Sequence, residues 1–503
     1  MTRTPRDVFL GLDIGTSGVK AVLVDERGAV RSSATTPLRL ATPRPGWAEQ
    51  PPEDWWKAAV ASVRRATRTA KNARVAAVGL SGQMHSSVFL DARGSVIRPA
   101  LLWCDGRTTA ECREITAYGG EDKLRDWVAN AALEGFTLPK VLWLRAHEPE
   151  RFARLAKVVL AKDYIRYRLT DALASEPSDA SGTLMFDTAR RRWSAEIMGA
   201  LGLPMSLLPD LGESSEVLGR LNAAAARLTG LAPGTPVVGG GADNACGAAG
   251  VGVVSPGDAV ASWGTSGTVL APTAEPKVDP SLRAHTFCHV APRTWYVMGV
   301  MLTAGGAFAW YRDVMARELA GGKDATLVLN KEAERAPIGA GGVTFLPYLQ
   351  GERTPHRDAS ARGAFAGLSL AHDRAHLSRA VVEGICFGLR DSLSILRGLG
   401  LPMEHLLLTG GGAKSPFIRR IQSEVFGLPV VRVNREEGPA FGAALLAAVG
   451  VGAFADLAAA ARATLKRLPP ERPRPENHRA YEEPYRRFQA LYPALKPWLS
   501  SSG

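Results

Sequence analysis

A Gly-Thr-Ser-Gly turn occurs twice in this chain, at Gly15–Gly18 and at Gly264–Gly267, each time between two apolar runs. In the first copy Val8–Ile14 enters the turn and Val19–Val24 leaves it; in the second, Asp258–Trp263 and Thr268–Leu270 take those places. The copies stand about half a chain apart. A repeat on that scale implies two halves built on related hairpins. The length agrees, because 503 residues exceed what one hydrophobic core normally organises. Glycine and proline gather at Gly250–Gly257, which sets the expected domains at residues 1–253 and 254–503. Short apolar runs at 75–80, 236–239 and 405–409 alternate with helical stretches at 55–70 and 376–398. That alternation predicts layered α/β architecture. Beyond about Leu468 the chain is rich in Pro, Arg and Glu, predicting a surface turn and a terminal amphipathic helix.

Several function classes drop out on composition. No apolar run reaches the ~18 residues of a membrane helix, so no membrane partner is expected. Met1–Asp7 is short and polar, unlike a secretory leader, so the expected location is the cytoplasm. The five cysteines are scattered and form no CxxC pair, as for free thiols in a reducing compartment. The net charge of +12 comes from arginines spread along the chain, with no basic stripe interleaved with aromatics. Nucleic acid is therefore not an expected partner, and the charge reads as a solvated surface that also attracts anionic substrates.

The turns themselves suggest chemistry. Backbone amides of a glycine turn can cradle phosphate because no side chain holds the ligand away. One such turn serves a β-hairpin equally well. Two in equivalent places suggest a phosphate clamp across a cleft, through Gly15, Thr16 and Ser17 on one side and Gly264, Thr265 and Ser266 on the other. Two residues before the turn, Asp13 in the first copy is replaced by Ser262 in the second. A magnesium triphosphate wants a carboxylate on one side only. Asp13 is thus the candidate to position Mg²⁺ through water, since that ion keeps several waters; a turn-capping carboxylate is the plainer alternative. Lys20 reads as a surface lysine on a strand, although phosphate is within its reach.

Gly239–Gly247 follows a strand and opens an Ala/Gly-rich helix. Asp243 at its start is either a helix N-cap or the carboxylate that accepts a hydroxyl proton during phosphoryl transfer from ATP. Gly410, Gly411, Gly412 and Ala413 follow the strand at 405–409, an arrangement that suits the adenosine end of ATP. Two first-half segments resemble a sugar site: Ser81–Ser86, with Met84 and His85, and Leu101–Arg107, with Trp103 and Asp105. Sugars are held by such bidentate polar groups beside an aromatic face. His85 alone would read as a structural histidine. Trp47, Trp55 and Trp56 read as packing residues.

Taken together, these motifs resemble the FGGY family of carbohydrate kinases, most closely its xylulokinases, over roughly residues 7–495. The resemblance is carried by DIGTSGVK (13–20), GQMH (82–85), LWCDGR (102–107), GFTLPKVLW (135–143), AKDYIRYRLTD (161–171), SDASGT (178–183), ADNACGA (242–248), SWGTSG (262–267), FLPYLQGERTPH (345–356) and TGGGAKS (409–415). It implies two ribonuclease-H-like domains of the actin/hexokinase superfamily with ATP between them; the expected mechanism puts the sugar in the first domain and Mg-ATP mainly on the second, with closure between them. It implies Asp243 as catalytic base, Met84 and His85 on the sugar, and Trp103, Asp105 and Asn244 nearby. It implies the two GTSG turns and the Gly410–Gly412 loop on the nucleotide. The implied reaction is phosphorylation of D-xylulose at O5 by ATP. Ribulose, glycerol, polyol or gluconate kinases of the same family are the alternative, and a non-metabolic actin-like ATPase is the alternative from another class. Any assembly beyond the single chain would be a homodimer. Cys104, Ser86, Ala242 and Ala146 depart from the family pattern, the first three beside the proposed sugar site.

Overall fold

The computed structural model describes residues 6–70, 73–319, 322 and 324–500. The start of the Met1–Asp7 segment, discussed above as unlike a leader, lies outside them. In the first half, β1 (Arg6–Ile14), β2 (Gly18–Asp25), β3 (Val30–Pro37), α1 (Pro52–Thr69), β4 (Ala73–Gly82), β5 (Val217–Arg220), β6 (Pro236–Val238) and β7 (Gly241–Ala242) lead to α2 (Asp243–Ala249). The strands form one sheet in the order β5-β6-β4-β1-β2-β3, with β7 also on β4. β1 runs antiparallel to β2 around the first GTSG turn and parallel to β4. That register sets Asp13 opposite Lys20 and beside Ser81. α1 packs on β2 and β3 through Trp55, Trp56, Ala59 and Val63, all buried and at helical spacing.

The second half repeats the plan. β8 (Gly257–Trp263), β9 (Gly267–Thr273), β10 (His285–Cys288), β11 (Trp295–Met301), α3 (Arg374–Gly398), β12 (Met403–Gly410) and β13 (Val430–Val431) give a sheet ordered β10-β11-β9-β8-β12-β13. β8 is antiparallel to β9 and parallel to β12, as β1 is to β2 and β4. Ser262 therefore holds the place of Asp13. The long α3 starts at a capping box formed by Asp373 and His376.

One helix crosses this division. α4 (Pro439–Gly450), far along the second half, lies on β1, β4 and α2. Glycines make that approach possible: a Cβ on Gly11 would overlap the Ala440 carbonyl, and one on Gly79 the Ala443 carbonyl. Phe441, Ala444 and Leu445 share a core with Phe9, Val22 and Ala77. The expected terminal helix forms at Glu482–Ser500 and turns Tyr485, Phe488 and Tyr492 inward. All five cysteines are free. Among the described residues no helix is long and apolar enough to cross a membrane.

Candidate active site

A cleft of about 610 Å³ is lined by both hairpins, α2, the Gly410–Lys414 loop and the segment before α4. Asp13 and Lys20 face it from the first hairpin, and Ser262 and Thr268 from the second. Asp13 has a buried carboxylate oxygen with no hydrogen-bond partner. Burial pushes its carboxyl up, against the Ser81 hydroxyl and the Lys20 charge. Lys20 is not a plain strand-surface lysine: its Nζ lies in the cleft and donates to the Glu437 carbonyl at 3.3 Å. The strand alternation that exposes it also aims it across the gap between the halves.

Asp243 begins α2 without acting as its cap. Among the described residues no side-chain cap bond is formed there, and the carboxylate accepts only from its neighbour Asn244, at 2.7 Å from N–H and 3.0 Å from Nδ2. An N-cap would accept from an amide two or three residues on. The residue stays part-open to the cleft while protein surrounds the carboxylate. Burial, helped by the Asp13 charge, raises its pKa to about 7.

The same Asn244 Nδ2 also lies 3.7 Å from the Met84 sulfur, which the Tyr296 hydroxyl meets at 4.0 Å. Beside Met84, His85 adopts a left-handed backbone (φ 67°). Burial lowers its pKa to about 3, so the ring is neutral. Its Nδ1–H donates to the Gly182 carbonyl in a short contact, which leaves Nε2 as an acceptor. Phe136 flanks the ring at 4.5 Å.

The first GTSG turn braces this pocket. The Thr16 hydroxyl donates to Gln83 Oε1 (3.0 Å) and accepts from Trp103 Nε1 (2.9 Å). Ser86, one of the departures from pattern, donates to the same Gln83 oxygen and accepts the Trp103 N–H at 3.3 Å. Asp105 does not join the open pocket. Its buried carboxylate accepts from Ala48 N–H (2.6 Å) and pairs with Arg107 (2.7 Å), which lies 3.6 Å over the Trp47 ring. It fixes the 102–107 loop that carries Trp103.

The nucleotide-side residues divide in a similar way. Gly410 and Gly411 and Ala413 line the cleft, whereas Gly412 lies flat on the Trp263 indole, where a Cβ would stand 2.6 Å from the ring. Gly264, Thr265 and Ser266 do not line the cleft; the Gly264 and Thr265 carbonyls accept from the N–H groups of Gly305 (2.8 Å) and Gly306 (2.9 Å). Gly15, Thr16 and Ser17 do not line it either.

Residues 8–250 match the N-terminal domain of the FGGY family of carbohydrate kinases, and residues 259–451 match its C-terminal domain. The chain belongs to the FGGY family of carbohydrate kinases. It is 38% identical over 489 residues to a xylulose kinase of Bacillus subtilis (strain 168), covering 97% of each chain. It is 40% identical over 500 residues to a xylulose kinase of Klebsiella pneumoniae, covering 98% of this chain and all of the relative. The crystal structure of xylulose kinase from Rhodospirillum rubrum matches with a TM-score of 0.90 at 32% identity, over 98% of this chain and 100% of that one. This FGGY chain is thus a sugar kinase, with ATP the donor that its family implies, and the expected two-domain α/β fold of the actin/hexokinase class holds.

In this FGGY kinase, local patterns show neither that Gln83, within Ser81–Ser86, is the hub of the pocket nor that Tyr296 walls Met84. Tyr296 lies 212 positions from Met84, and no local pattern links them.

Proposed function

We propose that this kinase transfers the γ-phosphoryl group of ATP to O5 of D-xylulose, with Asp243 as general base. The observation that carries the reading is a carboxylate raised to about 7 at the wall of a cleft lined by both hairpins. A base poised near the working pH takes a hydroxyl proton most effectively. As the sugar O5–H bond breaks toward Asp243, O5 bonds to the γ-phosphorus, the bond to the β-phosphate oxygen breaks, and ADP leaves.

In this reading Met84, the neutral His85, Trp103 and Asn244 hold the sugar, and Asp105 positions Trp103. The backbone of Gly15–Ser17 and of Gly264–Ser266 holds phosphates once the halves close, and Gly410–Ala413 holds the adenosine end. The orphaned buried oxygen of Asp13 fits a hard cation. A single carboxylate suits Mg²⁺ held mainly by waters and phosphates, and the ion supplies charge neutralisation. Lys20, across from Asp13, adds a second positive charge to the phosphate side. Residues 1–253 and 254–503 act as the two lobes, and excluding water as they close strengthens these interactions. The similarity of the chain to xylulose kinases supports xylulose as the sugar.

A coupled ADP-release assay tests the proposal. Turnover should require sugar and be fastest with D-xylulose. Rapid ATP hydrolysis indifferent to every sugar would overturn the kinase reading, and turnover on ribulose, glycerol or gluconate alone would overturn the choice of sugar.

A further inference from the structure

The segment Gly351–His356 takes no part in the phosphoryl transfer, yet its Arg353 side chain reaches from the second half to the wall of the proposed sugar pocket. Its backbone is stitched to the end of β11. Glu352 Oε1 accepts the N–H groups of Leu302 (3.1 Å) and Arg353 (2.7 Å). Thr354 donates its N–H to the Val300 carbonyl (2.9 Å), and its hydroxyl accepts the Val300 N–H (3.0 Å). Arg353 is thus fixed on both sides, and its side chain leaves the second half. The guanidinium ends against Gly135: a Cβ there would stand 3.3 Å from Nη2 of Arg353 and 2.8 Å from the Trp103 carbonyl. The Gly135 carbonyl accepts from Lys140 Nζ (2.6 Å), which also donates to the His85 carbonyl (3.1 Å). Arg353 therefore adjoins the wall that Trp103, Gly135 and His85 share.

Among the described residues no acceptor bonds this guanidinium and no carboxylate pairs with it within 4.0 Å. Five donors on a half-buried cation call for acceptors from elsewhere. The neighbouring rings of His85 and His285 are held neutral by burial, with the Arg353 charge adding to the effect. A neutral imidazole Nε2 accepts from a hydroxyl, whereas a guanidinium only donates. We infer that Arg353 is a specificity-determining residue of the sugar pocket, donating from the opposite half of the molecule to the carbonyl oxygen of a ketose. The inference rests on the proposed sugar site at His85 and Trp103.

The test uses the full chain with Arg353→Met and Arg353→Lys. KM and kcat are measured for D-xylulose and for ATP, and xylitol, which differs only by the reduced carbonyl, is measured as substrate or competitive inhibitor. Arg353→Met should raise the D-xylulose KM at least tenfold and leave the ATP KM within twofold. It should also erase at least tenfold of the preference for ketose over polyol; Arg353→Lys should recover part of each loss. A D-xylulose KM within twofold of the parent in both variants would overturn the inference. So would an equal loss toward ketose and polyol, or an ATP KM and melting temperature that shift in step with the sugar KM. If the parent enzyme turns over a different sugar, the xylulose reading fails, and the same KM comparison on that sugar decides the role of Arg353.

Discussion

The two carboxylates in the cleft interact, and their coupling can be read out in solution. As the proposed base, Asp243 must be ionised to accept a proton, so kcat/KM should rise with slope one as pH approaches about 7 and level off above it. Asp13→Asn removes the neighbouring negative charge, and its acid limb should move to lower pH; an unmoved limb would mean that the two groups do not communicate. Asp243→Asn should lower kcat by about 10²–10⁴-fold with little change in sugar KM, as expected for a general base. The same variant should be more stable than the parent. A carboxyl raised from 3.8 to about 7 favours folding fully only below pH ~4, and that stability is lost as pH rises toward 7. Differential scanning calorimetry at pH 8 should therefore show Asp243→Asn stabilised by on the order of 1–4 kcal/mol, with the gain vanishing near pH 4. Their place on the cleft was legible in the sequence, because Asp13 lies near the end of a strand that enters a glycine turn and Asp243 follows a glycine-rich strand. Their settings were not. Asp105 carries the residue type that a sugar site wants, but its ion pair with Arg107 depends on where Trp47 folds back, which no spacing within 102–107 encodes. Lys20 looked like surface because the strand pattern cannot say that a second half stands opposite.

At the scale of elements, the sequence was clearest where turn chemistry is strict. Both GTSG hairpins and their parallel neighbours form as the repeat implies, and α1 and α3 form where apolar spacing is helical. α4 was the least legible. Its residues are apolar all round, so no stripe shows which way it faces, and a helix of that kind is buried on several sides. The triple glycine also gained a specific meaning. Gly410 has φ 81° and Gly412 lies on Trp263, so both shape the loop, while Gly410 and Gly411 line the cleft. Gly412→Ala would press a methyl into the indole. Overpacking of this kind costs ~1–3 kcal/mol, and here it should raise the ATP KM several-fold while the sugar KM stays constant. Steady-state kinetics with each substrate varied in turn, together with a urea midpoint, separates the two effects.

Across the whole molecule, contacts between the halves differ greatly in weight. Arg357 and Glu121 form an ion pair between the halves at 2.8 Å, with the Glu121 side chain 46% exposed. Exposed pairs contribute little, so Glu121→Gln should shift unfolding by less than ~1 kcal/mol. Gly11→Ala, which drives a methyl into the backbone of α4, should cost about 3 kcal/mol in the same urea titration. The seating of α4 on the first sheet also bears on how the protein is made. A ribosome completes every strand of that sheet by Ala242, yet the helix that covers it does not exist until Gly450 has been added. At ~5–20 residues per second, the nascent sheet waits on the order of 10–40 s with one apolar face uncovered. For that interval the newborn chain is a natural client for a chaperone, and a message truncated near its middle yields a sticky fragment instead of a free-standing first domain.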